Sequence, residues 1–157
     1  MTAVNETRKS GARARSHARR LAMQALYQWQ LTGDKVKDIT LQFLDLADIA
    51  RADPDYFRTL LHECTAHEKD LTAMLHEYLD RPEDQLDPVE RAILLIGLYE
   101  LQHRLDVPYR VVINEGIELT KKFGGEEGFK YVNAVLDKAA ARLRTVEYTA
   151  ARQRASH

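Results

Sequence analysis

Residues 87–101 read DPVERAILLIGLYEL, and this stretch decides the fold. Asp87 can accept hydrogen bonds from the free N–H groups of a helix start, and Pro88 suits the first helical position. Glu90, three residues after Asp87, can reach back to it in a capping box. From Ala92 to Tyr99 the segment is apolar almost all round, which predicts a central helix buried on every side. The two-residue alternation of a half-buried strand is nearly absent, because apolar residues recur at three and four, so the expected class is all-α.

Working outward, Ala18, Leu21, Ala22, Ala25, Leu26 and Trp29 fall at helical spacing and form one apolar stripe. They predict a first helix from about Gly11 to Leu31, stopped by Gly33, which tolerates the left-handed conformation. A second helix is expected through Ile39, Phe43, Leu46 and Ala50. Asp53-Pro54 then opens a third, with Phe57, Leu60, Leu61 and Cys64 on its buried face. Leu71, Met74, Leu75, Tyr78 and Leu79 continue that face, either in the same helix or in another one after a break near Ala66. Residues 81–86 form the best internal linker, because Pro82 pushes Arg81 out of the helical region. Pro108 opens a helix with Val112, Ile113, Gly116, Ile117 and Phe123 on one face, ended by Gly124-Gly125. The last helix is expected from near Glu126, burying Phe129, Val132, Leu136, Ala139 and Leu143.

The expected organisation is one helical domain over 11–146, in halves of about 11–80 and 87–146. Flexible tails are expected at 1–10 and 147–157. A single cysteine, Cys64, leaves no internal disulfide framework. No apolar core for a signal peptide follows the basic start. The longest apolar run, Ala92 to Tyr99, is far short of the ~20 residues that span a bilayer. A cytoplasmic chain with no membrane segment is the expectation.

The net charge of −1 hides an asymmetry. Residues 1–20 hold six bases and one acid, residues 34–90 hold six bases and fifteen acids, and residues 91–157 hold eleven bases and eight acids. A cationic start before an acidic middle points to surfaces of opposite sign, although charge runs of this kind also serve simply to solvate helix faces.

No catalytic or metal reading survives inspection. His62-Glu63-Cys64-Thr65-Ala66-His67 resembles a zinc-protease box, but that motif needs histidines four apart. Five apart, they point about 140° away from each other around a helix. Cys64 is in phase with Phe57, Leu60 and Leu61, so it reads as an inert core thiol. Gly124-Gly125-Glu126-Glu127-Gly128 lacks the preceding strand of a dinucleotide loop, and its glutamates would repel phosphate. They suit the positive end of a helix dipole instead. No enzyme, metal site or cofactor is expected.

A different chemistry lies on the first helix. Arg13, Arg20 and Tyr27 are seven apart and form a line opposite the apolar stripe, with Gln24 beside them and Ser16 and His17 on the flanks. Arginine offers a planar fork to phosphate, tyrosine a ring for an unstacked base, and glutamine an amide for base edges. That mixture suits single-stranded RNA better than a duplex groove. A solvated basic helix end, with Tyr27 resting on a neighbouring helix, is the plainer alternative.

Four blocks resemble the NusB family of transcription antitermination factors. They are Ala22 to Gln30 (AMQALYQWQ), Glu90 to Leu101 (ERAILLIGLYEL), Val107-Pro108-Tyr109 with Ile113-Asn114-Glu115 and Lys121-Lys122-Phe123-Gly124, and Phe129 to Asp137 (FKYVNAVLD). The resemblance spans roughly 13–144. It implies a compact bundle of about seven helices in two three-helix halves. It also implies binding of boxA-type RNA with the ribosomal protein NusE, in a complex that acts on RNA polymerase, including in ribosomal RNA transcription. Carried over by position, the RNA surface would comprise Arg15, Arg19, Gln24 and Tyr27, continuing through Lys121, Phe123, Glu127, Lys130 and Tyr131. Glu90 and Arg91 would meet NusE, and the acidic middle would attract that basic protein. Leu95 stands where relatives often carry arginine, and Ala134 where glycine is usual after asparagine. RNA cytosine methyltransferases also carry such a domain, and in a chain of 157 residues their catalytic part is not expected. A protein-only scaffold, or a homodimeric adaptor without RNA binding, is the competing reading, and the sequence leaves monomer or homodimer open.

Five phosphate contacts would give a slope of log binding constant against log salt of about −3.5 on single-stranded RNA. Anisotropy titrations at several salt concentrations measure it, and a flat dependence contradicts an electrostatic RNA surface.

Overall fold

In the computed structural model, which describes residues 2–155, with side chains from residue 11 onward, all regular structure is helical. The helices are α1 (Thr2–Thr32), α2 (Val36–Leu44), α3 (Pro54–Ala66), α4 (Glu68–Tyr78), α5 (Pro88–His103), α6 (Tyr109–Phe123), α7 (Gly128–Leu143) and α8 (Thr145–Ala155). Short 3₁₀ segments, Ala47–Arg51 and Glu83–Gln85, lie in two of the connections. None of the described helices is long and apolar enough to cross a membrane. The chain divides into two compact units, residues 1–66 and 67–157.

The first unit packs α1, α2 and α3 on one another. The α1 stripe is sealed: Ala18, Leu21, Ala22, Ala25 and Leu26 are buried, joined by Met23, while Trp29 stays half-buried at the end. Gly33 takes φ +69 and donates its N–H to the Trp29 carbonyl at 2.9 Å, closing the helix as expected. Helix α1 begins at Thr2 rather than near Gly11, and the tail expected at 1–10 falls on side chains outside the described residues. Helix α2 buries Ile39 and Phe43 but stops at Leu44. Leu46 and Ala50, expected on the same face, are instead exposed around the 3₁₀ turn, where three residues per turn break the 3.6-residue register. Asp53 caps α3 by accepting the Tyr56 N–H at 3.0 Å, and its own N–H binds the Ala14 carbonyl of α1. Phe57 then stacks on Phe43 at 5.8 Å between ring centres.

In the second unit α5 is central, in contact with α4, α6 and α7. Every residue from Ala92 to Glu100 is buried. Asp87 caps the helix by accepting the Val89 N–H at 2.7 Å, one residue earlier than a capping box requires, and the Asp87 backbone N–H favours the ionised form of Glu90. Leu95 is fully buried, so an apolar side chain fits there, and Ala134 is exposed, away from any close helix contact. Leu136 of α7 presses on the bare backbones of two other helices. A β-carbon at Gly97 of α5 or Gly116 of α6 would lie 2.8 or 2.9 Å from its methyls. The far end of α5 is closed by Arg144, a buried guanidinium that donates to the carbonyls of Glu100, Leu101 and Arg104 at 2.6–3.1 Å.

The boundary between units falls at Ala66/His67 rather than at the Pro82 linker, and residues 56–79 form two helices. The linker is tied down on both sides. Arg91 of α5 pairs with Glu83 of the linker at 2.7 Å and with Glu68 of α4 at 3.0 Å, while His76 of α4 meets the second Glu83 oxygen. Residues 147–155, expected as a tail, are helical as part of α8. Glu147 accepts the first N–H of α6 at 3.1 Å, Tyr148 donates to Asp137, and Ala151 is buried.

Two substitutions test the three-helix contact. Leu136→Ala should cost about 2–5 kcal/mol, and Gly116→Ala about 1–3 kcal/mol through overpacking, both read from urea midpoints. Changes within 0.5 kcal/mol would contradict the tight approach.

Candidate nucleic-acid interface

The arginines of α1 do not form one uniform strip. Arg13 is exposed, as the seven-residue line requires. Arg20 keeps 28% of its side chain exposed, binds Asp48 of the 3₁₀ turn at 3.2 Å, and leaves its Nε buried without a partner. Such a pair contributes under about 1 kcal/mol and can exchange its carboxylate for a phosphate. Tyr27 and Gln24 are half-buried. Arg15 is half-buried with its guanidinium 4.5 Å above the Tyr56 ring. Arg19 lies deeper than its neighbours: only 3% of it is exposed, and its guanidinium lies 5.5 Å from the same ring centre. Stacking on Tyr56 makes Arg19 part of the packing between α1 and α3.

A second face surrounds the turn between α6 and α7. Gly124 ends α6, and Glu127 sits before α7 in the left-handed conformation, φ +69. Its carboxylate does not cap the helix but pairs with Lys130 at 2.6 Å. Lys121 places its ammonium 5.1 Å over the Phe129 ring, and Phe123 is 38% exposed. Tyr131 is half-buried, and the guanidinium of Arg81 lies 3.9 Å above its ring. Burial pushes the Tyr131 phenol above its ordinary range, reinforced by the charge of Asp80 and opposed by Arg81. The turn thus brings together three cations, Lys121, Lys130 and Arg81, and three rings, Phe123, Phe129 and Tyr131. It can bind anions and stack on flat groups. Among the described residues no cluster of histidine, cysteine or carboxylate groups is arranged for a metal.

Arg81 was not identified from the sequence as a site residue. It reads there as a linker residue before proline, and its ring partner lies on a distant helix.

The residues expected to meet a protein partner are turned inward. Glu90 is 8% exposed and sits against Gly128, where a β-carbon would come within 2.0 Å of its Oε1. Arg91 keeps 16% of its side chain exposed and spends its donors on Glu68, Glu83 and the Thr72 hydroxyl. Both brace the interior of the second unit. Burial, and then the charge of Asp87, raises the Glu90 carboxyl above 4.5. Glu83 moves the other way: burial opposes ionisation, but hydrogen bonds from Arg91 and then His76 hold it below 4.5.

An all-helical chain whose candidate sites are cationic and aromatic has the make-up of a nucleic-acid-binding adaptor. The family model described as the NusB family matches residues 16–141. The transcription antitermination protein NusB of Alcanivorax borkumensis is 55% identical over 141 residues, covering 90% of this chain and 94% of its own. The Ralstonia pickettii protein of the same name is 49% identical over 155 residues, covering 97% and 100%. Among solved structures, NusB of T. maritima superposes with a TM-score of 0.72 at 26% identity, covering 80% of this chain and 89% of that one. A crystal structure of the antitermination factors NusB and NusE in complex with dsRNA gives 0.68 at 26% identity, covering 81% and 96%. The chain belongs to the NusB family, whose members are non-catalytic.

The raised Glu90 carboxyl carries a prediction with a definite sign. The folded state holds this proton more tightly than the unfolded chain, so the stabilisation it brings is complete below 4.5 and is lost as pH rises through the folded value. Glu90→Gln keeps an acceptor for the Asp87 N–H and cannot ionise. Urea unfolding across pH 4–7 should show the wild type losing stability relative to this variant as pH rises. Parallel profiles would contradict the assignment.

Proposed function

We propose that this chain is a transcription antitermination factor. It binds single-stranded boxA-type RNA together with NusE and helps assemble the antitermination complex on RNA polymerase in the cytoplasm, including on ribosomal RNA transcripts. The observation that carries the reading is the pairing of exposed or half-buried cations with exposed or half-buried rings. On α1 these are Arg13, Arg20 and Tyr27, with Gln24 and Arg15 beside them. Around the glycine turn they are Lys121, Phe123, Lys130 and Tyr131, with Arg81 over the last ring. The names of the relatives and the NusB–NusE–RNA composition of a structural neighbour support it. Cations follow the phosphate backbone, and rings hold splayed bases at about 1–3 kcal/mol each. NusE is drawn by the acidic middle of the chain, a steering effect that raises association rates more than affinity.

Anisotropy with labelled boxA RNA, a scrambled strand and a boxA duplex, each with and without NusE, tests the proposal. BoxA binding should exceed the scrambled control and rise with NusE, and the single strand should outcompete the duplex. Phe123→Ala should weaken binding by about one ring's worth, roughly 5- to 150-fold. Lys121→Ala and Lys130→Ala should each lower the salt slope by about 0.7. BoxA binding no stronger than the scrambled strand, with and without NusE, would contradict the proposal.

A further inference from the structure

The first unit carries a groove that the RNA reading does not use. It measures about 620 Å³ and lies between α2 and α3, with Trp29 of α1 at one end. Its walls are two helix ridges. On α2 the row Val36, Thr40 and Leu44 runs at four-residue spacing, with Lys37 and Leu41 beside it, and on α3 Arg58, His62 and Thr65 continue the opposite side. At 1.5 Å per residue, residues 36–44 give a wall about 12 Å long, roughly two helical turns. Parallel ridges of this kind receive the ridge of a third helix.

The chemistry of the groove is unusual for its position. The two threonine hydroxyls inside already have partners. Thr40 donates its hydroxyl to the Val36 carbonyl at 2.7 Å and therefore accepts from His62 Nε2 at 2.9 Å, since a hydroxyl has one proton. Thr65 donates to the Leu61 carbonyl at 2.8 Å. What remains to contact a ligand is apolar, and Leu41 holds 59% of its surface open to solvent. The charged side chains lining the groove, Lys37 and Arg58, are both cationic, and no carboxylate lines it, although residues 34–90 carry fifteen acids against six bases. Arg58 holds Asp55 one turn back in an exposed pair, which is weak and exchangeable.

The geometry points to a protein-docking groove that receives a short amphipathic helix with acidic residues flanking its apolar ridge. Two or three aliphatic side chains at i, i+3/i+4 and i+7 would fill the space between Leu41, Leu44 and Trp29, and flanking Asp or Glu would meet Lys37 and Arg58. Apolar contact supplies the affinity, and the cationic rim selects the sign of the partner. This function goes beyond RNA binding and stands whether or not the RNA reading holds.

Trp29 is the sole tryptophan of the chain, so its emission reports directly on the groove. The test titrates the full chain with a synthetic 14-residue helical peptide bearing leucines at that spacing and flanking glutamates. A twin carries lysines at the flanking positions. The acidic peptide should shift Trp29 emission saturably and bind at least tenfold tighter than its twin. Leu41→Glu, at a position already open to solvent, should weaken it at least tenfold. Lys37→Glu with Arg58→Glu should reverse the preference between the peptides. Absence of saturable binding to millimolar peptide, equal affinity for the twin, or indifference to Leu41→Glu would overturn the inference. Sedimentation showing a dimer that Leu41→Glu dissolves would assign the groove to a second copy and overturn it as well.

Discussion

The two methyls of Leu136 fill the space that β-carbons at Gly97 and Gly116 would need, and this contact holds three helices of the second unit at one distance. Removing two β-carbons lets α5 and α6 approach α7 far more closely than leucine or valine would allow at those positions. Interiors are packed to crystal-like density, so such an approach has one solution rather than a range. It fixes the approach of α5 and α6 to α7, and α6 and α7 are the two helices that flank the glycine turn bearing Lys121, Phe123, Lys130 and Tyr131. Gly128 makes the same kind of demand at the start of α7, where the buried Glu90 carboxylate occupies the place of a side chain. The cationic and aromatic turn is thus flanked on both sides by close packing, apolar at Leu136 and polar at Glu90.

Electrostatics in this protein divides by depth. Arg91, Arg144 and Arg19 bear full charges yet serve the interior: one braces a linker, one closes a helix end, one lies over a ring. Each is tied to several acceptors or to an aromatic face, which offsets the cost of taking a charge out of water. Arg13, Lys121 and Lys130 sit at the surface, where charge attracts counter-ions and polyanions without loss of solvation. Arg20 stands between the two groups, half-engaged by Asp48 with one nitrogen unpaired.

How much of this could be read beforehand follows from whether the cause is local. The Asp87-Pro88 start, the unbroken apolar run after it, the α1 stripe and the Gly33 stop are local patterns, and each is observed. The second helix was extended too far because nothing near Leu46 signals a change to 3₁₀ geometry. Arg19 and Arg20 are neighbours of the same residue type, and only the position of Tyr56 on another helix separates their roles. Glu90 was legible as a capping residue, but its burial against Gly128 depends on a turn far along the chain. The Arg81–Tyr131 stack is of the same kind: the two residues are ordinary until folding places one over the other. Patterns within one helix were recoverable, and pairings across helices were not.

The central claim is that the rings and cations presented by α1 and by the glycine turn meet RNA directly. Photocrosslinking of 5-iodouridine boxA RNA to the protein in the presence of NusE, with adducts located by mass spectrometry, tests this at the level of residues. The account predicts adducts on Tyr27 and on Phe123 or Tyr131, and none on the buried Tyr56. Adducts confined to other surfaces, with all three of those rings unmodified, would contradict it.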